Sequence, residues 1–278
     1  MVRIVSDTST LYSTTQAREA GFAVSPLSVT IAGKTYREFD EISSTQFVDI
    51  INQGHMPTSS QPAIGEVTAL YEEFAADEIL NIAMADGLSG TYNSAVAAAA
   101  LCENGDTITV LNTRTLCGPH RYIVQKCVEM AHAGKSLAEI KAWAESRMDS
   151  AKSFLMPDDF DSLRRGGRLS PLVSQVGKLA HLVPVMTQTD DGRRLTIAGI
   201  RRGYSAAVKH ICEHLKKHNI GAGWRVYISH AATQEKVDLT VKLLTAAVPD
   251  ATLEIVPLSP AFITQGGPNC LAIQYVLE

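Results

Sequence analysis

Two short stretches in the first third of the chain are crowded with small hydroxyl side chains. One runs Thr58, Ser59, Ser60, Gln61, Pro62; the other runs Leu88, Ser89, Gly90, Thr91, Tyr92. Each immediately precedes a stretch with helical patterning. Hydroxyls and free backbone N–H groups at a helix N-terminus form an anion site that needs no formal positive charge. A carboxylate or a phosphate suits that chemistry. The same residues serve equally well as N-caps and turns, and both uses stay open. A third candidate is cationic. Arg164, Arg165 and Arg168 flank Gly166 and Gly167, a pattern that fits an anion, a partner's acidic surface or a solvated loop.

Other chemistries find weaker support. Asp86, Gly87, Leu88, Ser89 and Gly90 approximate a G-x-S-x-G nucleophile elbow but are one residue short in spacing. Asp7, at the end of an apolar run, is either a reactive carboxylate or a turn cap. A stand-alone hydrolase or transferase would use Ser89 or Asp7, yet no histidine stands in a recognisable partner motif. His210, His214 and His218 recur every four residues. Two helical turns spread them over roughly 12 Å, too far for all three to reach one zinc, although an adjacent pair could. Lys209, Lys216 and Lys217 nearby oppose a cation. Neither a G-x-x-x-x-G-K-[S/T] phosphate loop nor a G-x-G-x-x-G turn is present. The five cysteines are scattered, odd in number and lack a C-x-x-C pair, which points to buried thiols in a reducing compartment.

The elements that must position these residues alternate. Apolar runs at 2–5, 23–31 (interrupted by Pro26), 79–84 and 107–111 read as strands. Residues 14–20, 44–53, 65–75, 93–101, 121–133 and 137–148 read as helices. That alternation predicts a parallel, doubly wound sheet in a first domain, 1–150. Beyond it, strands at 153–156, 183–188, 194–199, 224–230 and 253–257 are separated in places by helices at 204–218 and 235–247. Asp190, Asp191 and Gly192 signal a hairpin. The second domain, 151–278, therefore reads as α+β. At 45% hydrophobic and 19% charged, the 278 residues bury a sizeable core without disulfides or metal. A net charge of −4, with basic residues in short scattered pairs such as Arg201/Arg202 and Lys216/Lys217, excludes the clustered footprint of a nucleic-acid reader. No signal-peptide pattern opens the chain and no window reaches a membrane span. The expectation is a cytoplasmic protein without stable membrane insertion.

Taken in order, five segments resemble the DegV family. They are Ile4 to Ser9; Val24 to Leu27 with Gly33, Tyr36 and Asp40; Thr58 to Ala63; Leu88 to Ala95; and Leu163 to Ser170. They resemble the family's opening D-S-T loop, its next segment, its T-S-Q-P-S loop, its L-S-G-T-Y-Q-S-A loop and its L-R-R-G-G-R-I-S segment. The resemblance covers essentially the whole chain. It implies a two-domain α/β fold with a long-chain fatty acid buried between or within the domains. It further implies that a separate fatty acid kinase, supplying ATP and metal, phosphorylates the bound carboxylate. This chain would then be a non-catalytic lipid carrier with no cofactor and no metal of its own. On this likeness Ser59, Ser60 and Ser89 line the polar end of the ligand site, with Gly90 and Thr91 offering backbone donors and Arg168 facing the kinase or the incoming phosphate.

The C-terminal H-x-G-P-G motif of many members appears here as Gln265, Gly266, Gly267, Pro268, Asn269. Gln265 thus stands where a head-group histidine is expected. An amide donates a hydrogen bond to a carboxylate but carries no proton charge near neutral pH. Ala63 lacks a hydroxyl of the family pattern, and Ser59 replaces the usual threonine. Besides the carrier, two readings stay open: the Ser89 or Asp7 enzyme, and a regulatory protein whose lipid is structural.

Overall fold

The apolar opening run forms strand β1 (Val2–Asp7), which a short 3-10 turn (Thr8–Thr10) ends. The structure, a computed structural model, describes residues 1–174 and 182–278. After β1 come α1 (Thr14–Glu19), β2 (Ala23–Ser25), β3 (Ser28–Ile31), β4 (Lys34–Arg37), α2 (Ser44–Asn52), β5 (Thr58–Ser60), α3 (Ile64–Glu73), β6 (Glu78–Ala83), α4 (Thr91–Leu101), β7 (Ile108–Asn112), α5 (Cys117–His132) and α6 (Leu137–Met148). Capping boxes open three of these helices. Ser13 with Gln16, Ser43 with Gln46 and Ser136 with Glu139 each exchange side-chain and backbone bonds.

Strands β2, β1, β6 and β7 pair in that order, all parallel. Alternation along the strands loads both faces. Ile4, Leu80 and Ile82 pack with Ile123, Val124 and Cys127 of α5 and Ile140 of α6. Val5 and Ile79 pack on the other face with Val67 and Tyr71 of α3 and Ala98 of α4. Buried Asn81 donates to the Tyr71 hydroxyl at 2.6 Å, so the polar side chain on that face is satisfied. The doubly wound sheet is as the alternation predicts.

Two details differ from the sequence expectation. Residues 23–31 are not one strand. Pro26 splits them into β2, in the parallel sheet, and β3, in a separate antiparallel sheet of order β4-β3-β5. The segment expected as a polar loop begins with that third strand: Ser59 pairs with Val29 and Ser60 with Ser28.

The rest of the chain forms β8 (Lys152–Met156), α7 (Phe160–Arg165), α8 (Pro171–Ser174), β9 (Leu182–Gln188), β10 (Leu195–Arg202), α9 (Tyr204–Lys217), β11 (Trp224–His230), α10 (Gln234–Ala247), β12 (Thr252–Pro257), α11 (Pro260–Gly266) and β13 (Leu271–Leu277). Its six-stranded sheet has the order β10-β9-β8-β13-β11-β12, antiparallel except between β11 and β12. The β9–β10 hairpin turns where the Asp190, Asp191, Gly192 signal places it. Strand β13, absent from the sequence reading, is central and almost wholly buried. Val208 and Ile211 of α9 and Val237 and Leu244 of α10 share one core with Val226, Ile228 and Ile273 of the sheet.

Contacts divide the chain into two units. One holds residues 1–149 with 259–261; the other holds 150–258 with 262–278. Among the described residues no helix is long and apolar enough to cross a membrane.

Candidate functional site

In the first unit, α3 and α4 begin where the two hydroxyl-rich stretches end. Neither helix has a side-chain cap: their N-cap residues are Ala63 and Gly90. N–H groups left without a partner at a helix start favour an anion. Ser89 Oγ lies 2.8 Å from Thr91 Oγ1 and accepts from the Thr91 N–H at 3.3 Å. Ser59 is half-buried and Ser60 exposed at the end of β5, while Thr91 is buried. Gln61 joins the two stretches. Its Nε2 donates to Ser94 Oγ in the first turn of α4. A Cβ on Gly90 would lie 1.7 Å from Gln61 Oε1. Ser89, Gly90 and Thr91 are thus brought together, and Gln61 ties the Ser59–Ser60 strand end to them.

Asp7 is completely committed. Its Oδ1 accepts from Ser9 N at 2.9 Å and its Oδ2 from Met84 N at 3.0 Å, in a site only 1% exposed. It joins the ends of β1 and β6. Ser89 bonds Thr91 rather than a histidine. A serine–histidine contact does exist elsewhere: Ser9 Oγ donates to His120 Nδ1 at 2.6 Å, and His120 Nε2 donates to the Ile82 carbonyl at 3.0 Å. Both residues are completely buried, and burial pushes the His120 pKa down. The pair ties α5 to the turn after β1 and to β6, with His120 as a neutral tautomer fixed by the carbonyl.

A buried acid that the sequence reading passed over lies in the same unit. Glu38 has no exposed surface. Thr8 donates to its Oε1, and the Ala261 N–H donates to its Oε2 at 2.9 Å. Ser259 stands beside the same carboxyl without making a well-formed hydrogen bond. Burial raises the Glu38 pKa to about 7, with Asp7 adding repulsion and the donors opposing both.

In the second unit, Arg168 and Gln265 both address Gly166. Arg168 donates to the Gly166 carbonyl. The Gln265 amide lies so close that a Cβ on Gly166 would sit 2.0 Å from its Oε1. Gly167 has φ +71°, a left-handed turn that suits glycine. Leu195 N donates to Arg168 O and Ser170 N to Leu195 O, each at 2.8 Å, so the start of β10 holds the segment. Arg164 and Arg165 pair with Asp161 and Asp159. Burial lowers the Arg168 pKa, and Arg194 nearby adds to the effect. Two cations this close make the segment receptive to an anion.

The remaining candidates have structural roles. His210 meets Arg201, and His214 lies 3.0 Å from the Tyr275 hydroxyl. Burial, with His218 and nearby cations, holds the His214 pKa at about 4. All five cysteines are buried thiols, none in a disulfide. Among the described residues no group of His, Cys, Asp and Glu could hold a metal ion. A cavity of about 380 Å³ opens in the second unit between Met156, Asp158, Phe160, Tyr204 and Lys236. It includes none of the candidate ligand residues. Gln61 was within a recognised stretch but lacks a hydroxyl, so the search for hydroxyls missed it. Glu38 sits among Arg37, Asp40 and Glu41 and has no sequence feature that marks it as buried.

Comparisons with known proteins bear on this arrangement. A family model described as "Uncharacterised protein, DegV family" matches residues 1–278. A DegV domain-containing protein of Staphylococcus aureus is 30% identical, over 97% of this chain and 96% of that protein. One of Listeria monocytogenes is 29% identical, over 100% of this chain and 99% of that protein. Among solved structures, DegV of Bacillus subtilis, described as a fatty acid binding protein, is 25% identical. It has a TM-score of 0.88 and covers 100% of this chain and 99% of its own. A Eubacterium ventriosum protein, described as binding stearic acid, shares the fold at a TM-score of 0.85 and 20% identity, covering 100% of this chain and 98% of its own.

Proposed function

The chain belongs to the DegV family along its whole length, and from that premise we propose that it binds one long-chain fatty acid and presents the carboxylate to a separate fatty acid kinase. The observation that carries the first half is the full-length likeness, in sequence and fold, to a family member described as fatty acid binding. The second half rests on the resemblance of the Leu163 to Ser170 segment and on the chemistry of the reaction.

An acyl chain contributes about 0.8 kcal/mol per buried CH₂, ample before the costs of association are subtracted. The carboxylate must then end in a polar place, because a buried unpaired anion is very unfavourable. Ser59, Ser60, Ser89 and Thr91 supply hydroxyls, and Gly90 and Thr91 supply backbone donors at an uncapped helix end. A carboxylate held by neutral donors keeps one oxygen nucleophilic. The kinase brings ATP; the oxygen attacks the γ-phosphorus, the bond to the ADP oxygen breaks, and an acyl phosphate stays on the carrier. Arg168 faces the transferred phosphate or the kinase. The chain itself holds substrate and carries no catalytic residue, and its place of action is the cytoplasm, where ATP is available.

The test is reconstitution. The fatty-acid-loaded chain, a bacterial fatty acid kinase and ATP are combined, and acyl phosphate is trapped with hydroxylamine. Acyl hydroxamate that depends on both proteins supports the proposal. ATP turnover unaffected by the loaded chain would remove the kinase half and leave a carrier with another client.

A further inference from the structure

We propose that Gln61 is the positioning residue of the candidate carboxylate site, its amide packed where a side chain at residue 90 would stand. This rests on the carrier reading above and adds a residue to it.

Backbone conformation does not explain Gly90. Its φ of −75° and ψ of 1° are open to any L-residue. The space beside it is occupied by the end of the Gln61 side chain, which a residue larger than glycine would have to displace. A Cβ at position 90 would stand 1.7 Å from Gln61 Oε1 and 2.8 Å from its Cδ. The amide is held from both ends. Behind it, Ser60 is paired with Ser28 in the small sheet, and Pro62 is buried. Ahead of it, Nε2 donates to Ser94 Oγ, a residue 2% exposed whose own N–H makes the helical bond to Gly90 O at 2.9 Å. Gln61 is otherwise exposed, so a hydrophobic requirement does not place it there.

The consequence is geometric. The direction of the Gly90 and Thr91 N–H groups is set by the first turn of α4, where Thr91 N–H meets Ser89 Oγ. That turn is fixed on one side by the Ser89–Thr91 hydroxyl pair and on the other by the Gln61 amide. Without the amide the turn keeps its helical bonds but loses its tie to the chain that follows Ser59 and Ser60. A neutral amide is also the right chemistry. The isosteric carboxylate of Gln61→Glu would fit the same space yet put a negative charge beside a site for an anion.

The experiment titrates the full chain, stripped of lipid, with palmitate and with hexadecanol. The two probes share a chain and differ in head group. Gln61→Ala is expected to weaken palmitate about tenfold, the size of one misaimed charge-assisted hydrogen bond, with hexadecanol unchanged. Gln61→Glu should do the same, more strongly at low salt. Gly90→Ala should weaken palmitate and lower the thermal midpoint in the wild-type background. In the Gln61→Ala background, where no amide occupies the space, it should do neither. Equal weakening of both probes by Gln61→Ala, or additive effects of the two substitutions, would overturn the proposal by reducing Gln61 to general packing. An unchanged palmitate affinity would overturn it and leave the carrier reading standing. Failure of the wild type to take up either probe overturns the carrier reading, and this proposal with it.

Discussion

Glu38 shows what one buried residue does to the molecule's response to pH. Its carboxyl titrates at about 7 when folded, against ~4.3 in an unfolded chain. A raised folded value means that the folded state binds more protons between those limits. The contribution to stability is therefore complete below the unfolded value and lost as pH rises through about 7. The slope is at most roughly 1.4 kcal/mol per pH unit for one group. Glu38→Gln should flatten the denaturation midpoint between about pH 5 and 7 and make the chain more stable than the wild type above that window. Urea titrations with parallel pH profiles for both proteins would refute the assignment. Gln265 supports a second prediction. Gln265→His restores the family's usual group, and palmitate should bind more tightly as pH falls through the imidazole range, about 6.5, with no such change in the wild type. Unchanged affinity at each pH would count against Gln265 touching the head group. At this scale, legibility followed chemistry that announces itself. Hydroxyls and arginines in repeated small-residue contexts were visible in the sequence. Gln61 and Glu38 were not, because their roles come from what lies against them, namely Gly90 and the pair Thr8 and Ala261.

Elements were readable where a pattern and a boundary coincided. Capped, periodic helices such as α6 and the buried strand β6 fall close to their predicted limits. Strand β13 escaped because Leu271–Leu277 is buried on both faces, so no alternation marks it; a short, nearly continuous apolar run cannot be told from a buried helix turn. Strand β5 escaped for the opposite reason. Its residues Thr58, Ser59 and Ser60 are all polar, and only pairing with β3 makes them a strand. The central place of β13 predicts sensitivity. Ile273 has no exposed surface, and Ile273→Ala should destabilise by about 2–5 kcal/mol, seen as a lower denaturant midpoint at an unchanged slope. A loss well under about 1 kcal/mol would mean that β13 is not the strand on which this sheet is built.

For the whole molecule, the order of five short segments carried more information than any one of them. Each segment fits an ordinary turn, cap or charged loop. Five in family order along 278 residues fit the DegV family, and the family match extends over the full length. Chain-length preference could not be read, since residues that would line an acyl tunnel look like any other core. The central claim is one bound fatty acid per chain. Native mass spectrometry of the freshly purified protein, followed by denaturation and lipid extraction, tests it most directly. A one-to-one adduct whose released lipid has the mass of a long-chain fatty acid is the expected result. A clean protein mass, with no uptake from an added fatty-acid mixture, would contradict it and assign the Gln265 and Ala63 departures to a changed ligand.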